Sequence, residues 1–92
     1  MIAPDAVPYL PRGVRLHRDH VRDRWVLLAP ERTISLDMIG HAIITELDGS
    51  SGFAQIVNRL AAKYDAPADQ IAGDVQQFLG QLAERRFLEV RA

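Results

Sequence analysis

The chain has 92 residues, 48% of them hydrophobic and 25% charged, with a formal net charge of −1 and no cysteine. That length suits one domain with a thin core, and the charge gives no global pull toward nucleic acid or an anionic membrane. The absence of Cys excludes disulfides, thiolate nucleophiles and Cys-ligated clusters, and no run approaches the roughly 20 apolar residues of a membrane span.

Residues 1–13 carry Pro4, Pro8, Pro11 and Gly13. Proline fixes φ and removes a donor, so this segment is expected to be an extended, mobile arm with Tyr9 and Leu10 as its bulky anchors. It lacks the basic flank and continuous apolar core of a secretory signal, and the expected compartment is the cytoplasm. The domain proper is expected over residues 14–92.

Val14 and Leu16 alternate with Arg15 and His17, the pattern of a half-buried strand. Residues 18–23 form a polar connection. Trp25, Val26, Leu27 and Leu28 make a second strand that is apolar on both parities, as a strand covered on both faces is. Ala29-Pro30-Glu31-Arg32 predicts a type I turn, because Pro pre-sets φ at the second position. Arg32 to Leu36 is a third strand with Ile34 and Leu36 on one face. Short connections predict an antiparallel meander with the second strand in the centre.

From Asp37, a good N-cap, the period changes to that of a helix. Ile39, Ala42, Ile43 and Leu47 share one face, and Gly49 suits a left-handed stop. Ser50 or Ser51 can cap a second helix, where Phe53, Ile56, Val57, Leu60, Ala61 and Tyr64 form an apolar stripe. Asp65 and Pro67 open a third helix, with Ile71, Val75, Phe78, Leu79 and Leu82 inward. Phe87, Leu88 and Val90 fold a short tail back onto the core. The class is α+β: a three-stranded antiparallel sheet followed by three helices, winged-helix-like in outline.

No catalytic constellation emerges. His17 and His20 flank Arg18 and Asp19, but a structural zinc site needs about four ligands. Asp65, Asp69 and Asp74 read as cap, dipole complement and helix surface. Ser50-Ser51-Gly52 lacks the Lys of a phosphate loop. No metal or cofactor is expected, and no enzyme activity. Arg12, Arg15, Arg18, Arg22 and Arg24 concentrate charge in the first hairpin, and Arg15, Arg18, Arg22 and Arg24 form a candidate surface for an acidic protein partner. A small winged-helix nucleic-acid binder using this hairpin is the alternative reading. Against it, the third helix carries Asp69, Asp74 and Glu84 and is basic only at its end, with Arg85 and Arg86.

The third strand is the more telling feature. Thr33-Ile34-Ser35-Leu36 has high strand propensity and neither Pro nor charge to blunt its outer edge. Such an edge beside an amphipathic helix is a place to add a strand from another chain. The competing occupants are the N-terminal arm and a second copy of the chain, so both a monomer and a homodimer, with swapping as one route, stand open.

The runs PRGVRL from Pro11, WVLLAPE from Trp25, Leu36-Asp37, Asp48-Gly49 and the later Ile71, Asp74, Val75, Phe78 and Leu79 resemble the pyrroloquinoline quinone (PQQ) biosynthesis peptide-chaperone family, from Pro11 to Leu88. The departures are Arg86, where such proteins often place Gly, and Gly40 inside a helix. The resemblance implies a non-catalytic recognition element for a ribosomally made precursor peptide. It implies delivery of that peptide to a radical S-adenosylmethionine enzyme, which joins a Glu and a Tyr of the peptide and carries the iron–sulfur clusters itself. It also implies that the peptide extends the sheet at Glu31, Arg32, Thr33, Ile34, Ser35 and Leu36. The third helix would supply Asp74, Gln77, Phe78, Gln81 and Arg85, with Phe78 serving both core and groove.

Overall fold

Residues 1–92 are described by a computed structural model. Period-two alternation gives way to a helical period at Asp37, and the fold divides there. Strands β1 (Val7–Tyr9), β2 (Arg15–Asp19), β3 (Arg24–Ala29) and β4 (Arg32–Leu36) precede helices α1 (Met38–Thr45), α2 (Phe53–Tyr64) and α3 (Ala68–Glu84), and β5 (Glu89–Arg91) closes the chain. The main sheet is antiparallel in the order β2-β3-β4, as the meander requires. Leu27 pairs with Ile34 and Trp25 with Leu36, so the core-facing residues of neighbouring strands meet. The core joins Leu27 and Leu36 to Ile43 and Ile44 of α1, Phe53, Ile56, Val57 and Leu60 of α2, and Val75, Leu79 and Leu82 of α3. Phe87 and Leu88 complete it. Val26 and Leu28 point to the opposite face of the sheet and are not part of that cluster. Val26 is nonetheless buried at 4% exposure and Leu28 half-buried, so the second apolar parity of β3 marks a face that is covered, though outside the main core.

Several boundaries move for identifiable reasons. The turn before β4 places Glu31 at φ 61°, the left-handed third position of a type II turn rather than a type I turn. Helix α1 has the expected N-cap, with Asp37 accepting from Gly40 N at 2.7 Å, but it stops at Thr45. Gly49 adopts its left-handed φ of 79° in the loop beyond. The buried residues of α1 are Gly40, Ile43 and Ile44, while Ile39 faces out. Gly52 rather than a serine caps α2, and Gln55 Oε1 accepts from Gly52 N at 2.9 Å. The Ser51 hydroxyl is engaged elsewhere, donating to Asp48 and accepting from Arg59. Asp65 ends α2 in the left-handed region instead of opening α3, whose N-cap is Pro67.

The N-terminal segment departs most from expectation. Ile2 and Ala6 join the core and Pro8 is fully buried, so the anchors extend well beyond Tyr9 and Leu10. Val7–Tyr9 pairs antiparallel with Glu89–Arg91. The carbonyls of Pro4 and Ala6 accept from Ala54 N (2.9 Å) and Phe53 N (2.8 Å), satisfying donors that α2 leaves unpaired at its start. At Gly52 a Cβ would stand 3.3 Å from Pro4 O, so the arm approaches where no side chain intrudes. Ile2 N donates to Gln76 Oε1 at 2.9 Å, tying the arm to α3. The prolines that made this stretch look like a loose arm make it an extended strap.

Two stability predictions arise here. In the α1–α2 loop, Asp48 accepts from Ser51 N at 2.7 Å, Ser50 N at 2.9 Å and Ser51 Oγ at 2.8 Å. Backbone bonds from Ser51 and then Ser50, followed by the Ser51 hydroxyl, lower its pKa from 3.8 to about 2. A depressed carboxylate pKa means that the stabilisation is complete above 3.8 and disappears as pH falls through about 2. Asp48→Asn is therefore expected to melt below the parent at pH 7, and the gap between the two is expected to close in melts recorded towards pH 2. Separately, Arg86 follows α3 at φ 63°, where a side chain costs roughly 1–2 kcal/mol and Gly is free of that penalty. After the entropy of the added Gly, Arg86→Gly is expected to stabilise by up to about 1 kcal/mol. That is about 4–8 °C in Tm for a domain of this size, checked by calorimetry.

Candidate functional site

The register determines which backbone groups β4 keeps for a neighbour. Ala29 and Arg32 close a two-residue loop, so they form a hydrogen-bonded pair, and such pairs alternate along the ladder. Arg32, Ile34 and Leu36 therefore turn their backbone polar groups toward β3. Thr33 and Ser35 turn theirs outward, away from the only strand that pairs with β4. The arm does not cover this edge, because Val7–Tyr9 is committed to β5. The vacant edge thus presents two N–H and two C=O groups within the strand.

Side chains divide the opposite way. Thr33 and Ser35 are exposed on the outer face, whereas Ile34 is half-buried and Leu36 buried on the helix side. Arg32 also reaches the helix side, where its Nη1 donates to the Arg85 carbonyl and its guanidinium lies 4.3 Å from the Phe87 ring centroid. At the other end, Leu36 and Phe78 line one hollow with Arg24, Ser35 and Asp37. Strand β4 therefore runs antiparallel to α3. Four strand steps span about 13 Å and the seven helical steps from Arg85 to Phe78 about 10.5 Å, so the two elements keep pace.

On α3, Asp74, Phe78, Gln81 and Arg85 follow the spacing i, i+4, i+7, i+11 and share one stripe along this groove. Gln77 does not: it lines the broader hollow beside the arm with Met1, Ile2 and Gln76. Phe78 is half-buried, as a residue of the groove floor is. A Cβ on Gly40 would stand 3.1 Å from its ring, so the glycine that weakens α1 by about 1 kcal/mol makes room for Phe78. Past Phe78 the groove opens into an apolar cavity of about 330 Å³ lined by Met38, Ile39, Leu60, Tyr64, Ile71 and Val75, with Asp74 as the polar residue. Met38, Ile39 and Tyr64 are 88%, 66% and 54% exposed, forming an apolar rim. Periodicity put Ile39 and Tyr64 inside. Two apolar stripes overlap on α1, and Ile44 rather than Ile39 takes the core position.

The hairpin arginines do not form one patch. Arg18 binds Asp23 and lies 5.7 Å from the Trp25 ring, on the helix side. Arg24 crosses to Ser35 Oγ at 3.1 Å, and Arg15, opposite Leu28, lies on the outer face. Arg22 sits in the turn. Trp25 stacks on His41 with ring centroids 4.5 Å apart. No three His, Asp or Glu side chains gather as a metal site would need, and no helix is long and apolar enough to cross a membrane.

Comparison with known proteins places this geometry in a family. The family model for coenzyme PQQ synthesis protein D (PqqD) matches residues 24–88. The PqqA binding protein of Rhizobium meliloti (strain 1021) is 47% identical over 90 residues, which are 98% of this chain and 92% of that relative. A solution structure of the PqqD truncation of Methylobacterium extorquens PqqCD, described as a functional and stand-alone RiPP recognition element, superposes with a TM-score of 0.83 at 44% identity. That match covers 97% of this chain and 95% of the other. TbiB1 in complex with the TbiA(beta) leader peptide matches with a TM-score of 0.72 at 26% identity, covering 88% of this chain and 94% of that one. With a family match over most of its length and a relative close to half identical, the chain belongs to the PqqD family.

Proposed function

We propose that this protein is a non-enzymatic chaperone that binds a ribosomally made precursor peptide of the PqqA type. The peptide adds as a strand to β4 and lays side chains into the groove along α3. The observation that carries the reading is the outward-facing backbone of Thr33 and Ser35 beside the stripe of Asp74, Phe78, Gln81 and Arg85. The names of the relatives support it: one is a PqqA binding protein, and TbiB1 is described in complex with a leader peptide. The bound peptide is presented to a radical S-adenosylmethionine enzyme in the cytoplasm. Arg15 and Arg24 on the outer sheet face, with Arg22 at the turn, are the part of the hairpin accessible to that enzyme. Docking of the arm within its own chain supports a monomeric carrier.

Magnitudes show what the groove must add. Four edge hydrogen bonds at a net ~1 kcal/mol each give about 4 kcal/mol. Micromolar affinity takes about 8 kcal/mol, and ordering the peptide costs about 2–5 kcal/mol more. The side chains must therefore supply about 6–9 kcal/mol. At about 25 cal/mol per Å² that is roughly 240–360 Å² of apolar surface, the size of two or three large side chains. The shelf at Phe78 and the cavity behind Met38 and Ile39 suit that number.

The test is an amide-shift titration of labelled protein with a synthetic Rhizobium meliloti PqqA peptide, run beside a short DNA duplex. Saturable shifts at residues 31–36 and along the α3 stripe, modestly sensitive to salt, are expected. Shifts at Arg15 to Arg24 with DNA, collapsing steeply with salt, would instead favour nucleic-acid binding.

A further inference from the structure

Two arginines converge on one buried ring at the end of the groove nearest the β3–β4 turn. Phe87 is 0% exposed and belongs to the main core. The Arg32 guanidinium carbon lies 4.3 Å from the ring centroid and that of Arg85 lies 5.7 Å from the same point. The two cations are thus within about 10 Å of each other. One comes from the edge strand and the other from the C-cap of α3. Neither has a carboxylate within 4.0 Å: the ion pairs of the protein are Arg18 with Asp23, Arg59 with Glu46 and Asp48, and Lys63 with Glu46. One Arg32 nitrogen donates to the Arg85 carbonyl, which orients that guanidinium, and the Arg85 side chain makes no hydrogen bond. Both are exposed, with donors to spare.

We propose that Arg32 and Arg85, seated on Phe87, form a clamp for a carboxylate side chain of the guest peptide. The clamp rests on the strand-addition reading, because Arg32 immediately precedes the outward-facing Thr33. A guest strand about 4.8 Å from β4 hangs its helix-side chains over the groove that Arg32 and Arg85 border. The simpler role for these arginines is to balance the negative end of α3. That end carries about half a charge, and the two guanidinium groups carry two. The balance leaves both guanidinium groups free, since no carboxylate, the neighbouring Glu31 and Glu84 included, pairs with either of them. Guanidinium forks match a carboxylate in shape as well as charge, so the clamp sets the position of an acidic residue along β4 and thereby the register of the peptide. At the far end of α3 the groove is apolar with Asp74 at its rim, so a peptide shifted along the edge would lose this contact.

The test is a double-mutant cycle read by calorimetry. Synthetic Rhizobium meliloti PqqA peptide, and versions with each Asp or Glu changed singly to Asn or Gln, are titrated into the parent protein and into Arg85→Gln. Arg85→Gln is expected to weaken binding of the unaltered peptide about tenfold. One peptide variant is expected to do the same, and the two changes together to cost little more than either alone. The dependence of affinity on salt is expected to fall in parallel. Arg32→Gln is expected to reproduce the pattern, but it also loses a hydrogen bond and the closer of the two ring contacts, so Arg85→Gln, verified by melting, decides. The clamp is overturned if the unaltered peptide binds the parent and every peptide variant adds independently to Arg85→Gln, or if Arg85→Gln binds as the parent does. If the unaltered peptide does not bind at all, or shifts no amide near Thr33 and Ser35, strand addition itself fails and the clamp falls with it.

Discussion

Ser35→Pro is expected to weaken binding of the PqqA-type peptide at least tenfold while leaving the melting temperature within a few degrees of the parent. Ile34→Pro, one residue away, is expected to destabilise the domain by about 2–5 kcal/mol and lower its melting temperature by roughly ten degrees or more. The difference follows from the register. Leu27 and Ile34 are a hydrogen-bonded pair, so proline at 34 removes a donor inside the sheet and leaves the Leu27 carbonyl unsatisfied. The lost bond costs about 1–3 kcal/mol and the lost Ile packing about 1–2 more, against a total stability of roughly 5–10 kcal/mol for a domain of this size. The N–H of Ser35 points away from β3, the one arrangement in which a strand accepts proline. There the ring removes a donor offered to the guest and obstructs the guest backbone. Thermal melts and peptide titrations of both variants check this. Equal losses of stability in the two would show that the outward assignment of Ser35 is wrong.

Phe87→Ala is expected to cost about 3–5 kcal/mol, as deletions of fully buried aromatic rings do, roughly half of the domain's total stability. Phe87→Leu keeps most of the volume and is expected to lose less than about 2 kcal/mol. It also removes the π-face under Arg32 and Arg85. If the ring holds those guanidinium groups in place, the Leu variant should remain folded yet bind the peptide more weakly and with a shallower salt dependence. Urea melts measure the first effect and titrations at two salt concentrations the second. A Leu variant that binds as the parent does would confine Phe87 to the core.

Much of this was legible in the chain itself. Alternation over Val14–His17, the apolar run from Trp25 and the change of period at Asp37 announce three strands and three helices, because each pattern reports which side of a local element meets water. The same reasoning identified β4 as an edge, since a meander leaves its first and last strands half paired. The resemblance of Trp25–Glu31, Asp48-Gly49 and the α3 residues to peptide chaperones pointed to a strand-adding guest.

The rest depended on contacts between residues far apart in sequence. Pro4 and Ala6 cap a helix that begins at Phe53, and Val7–Tyr9 pairs with Glu89–Arg91; no local pattern near a proline-rich start encodes a partner some eighty residues away. Ile39 and Ile44 are equally apolar, and only the packing of α1 against α3 decides which faces the core and which rims the cavity. Gly40 looks like a flaw in a helix until Phe78 is seen against it. The hairpin arginines are neighbours in sequence but lie on opposite faces of the sheet, whereas Arg32 and Arg85 are distant in sequence and share one ring. Sequence determined the three strands of the main sheet and the three helices, because those are settled by local hydrophobic period and backbone preference. Tertiary structure alone decided which side chains meet at the groove, because the juxtaposition of β4 with α3 depends on how the whole core closes.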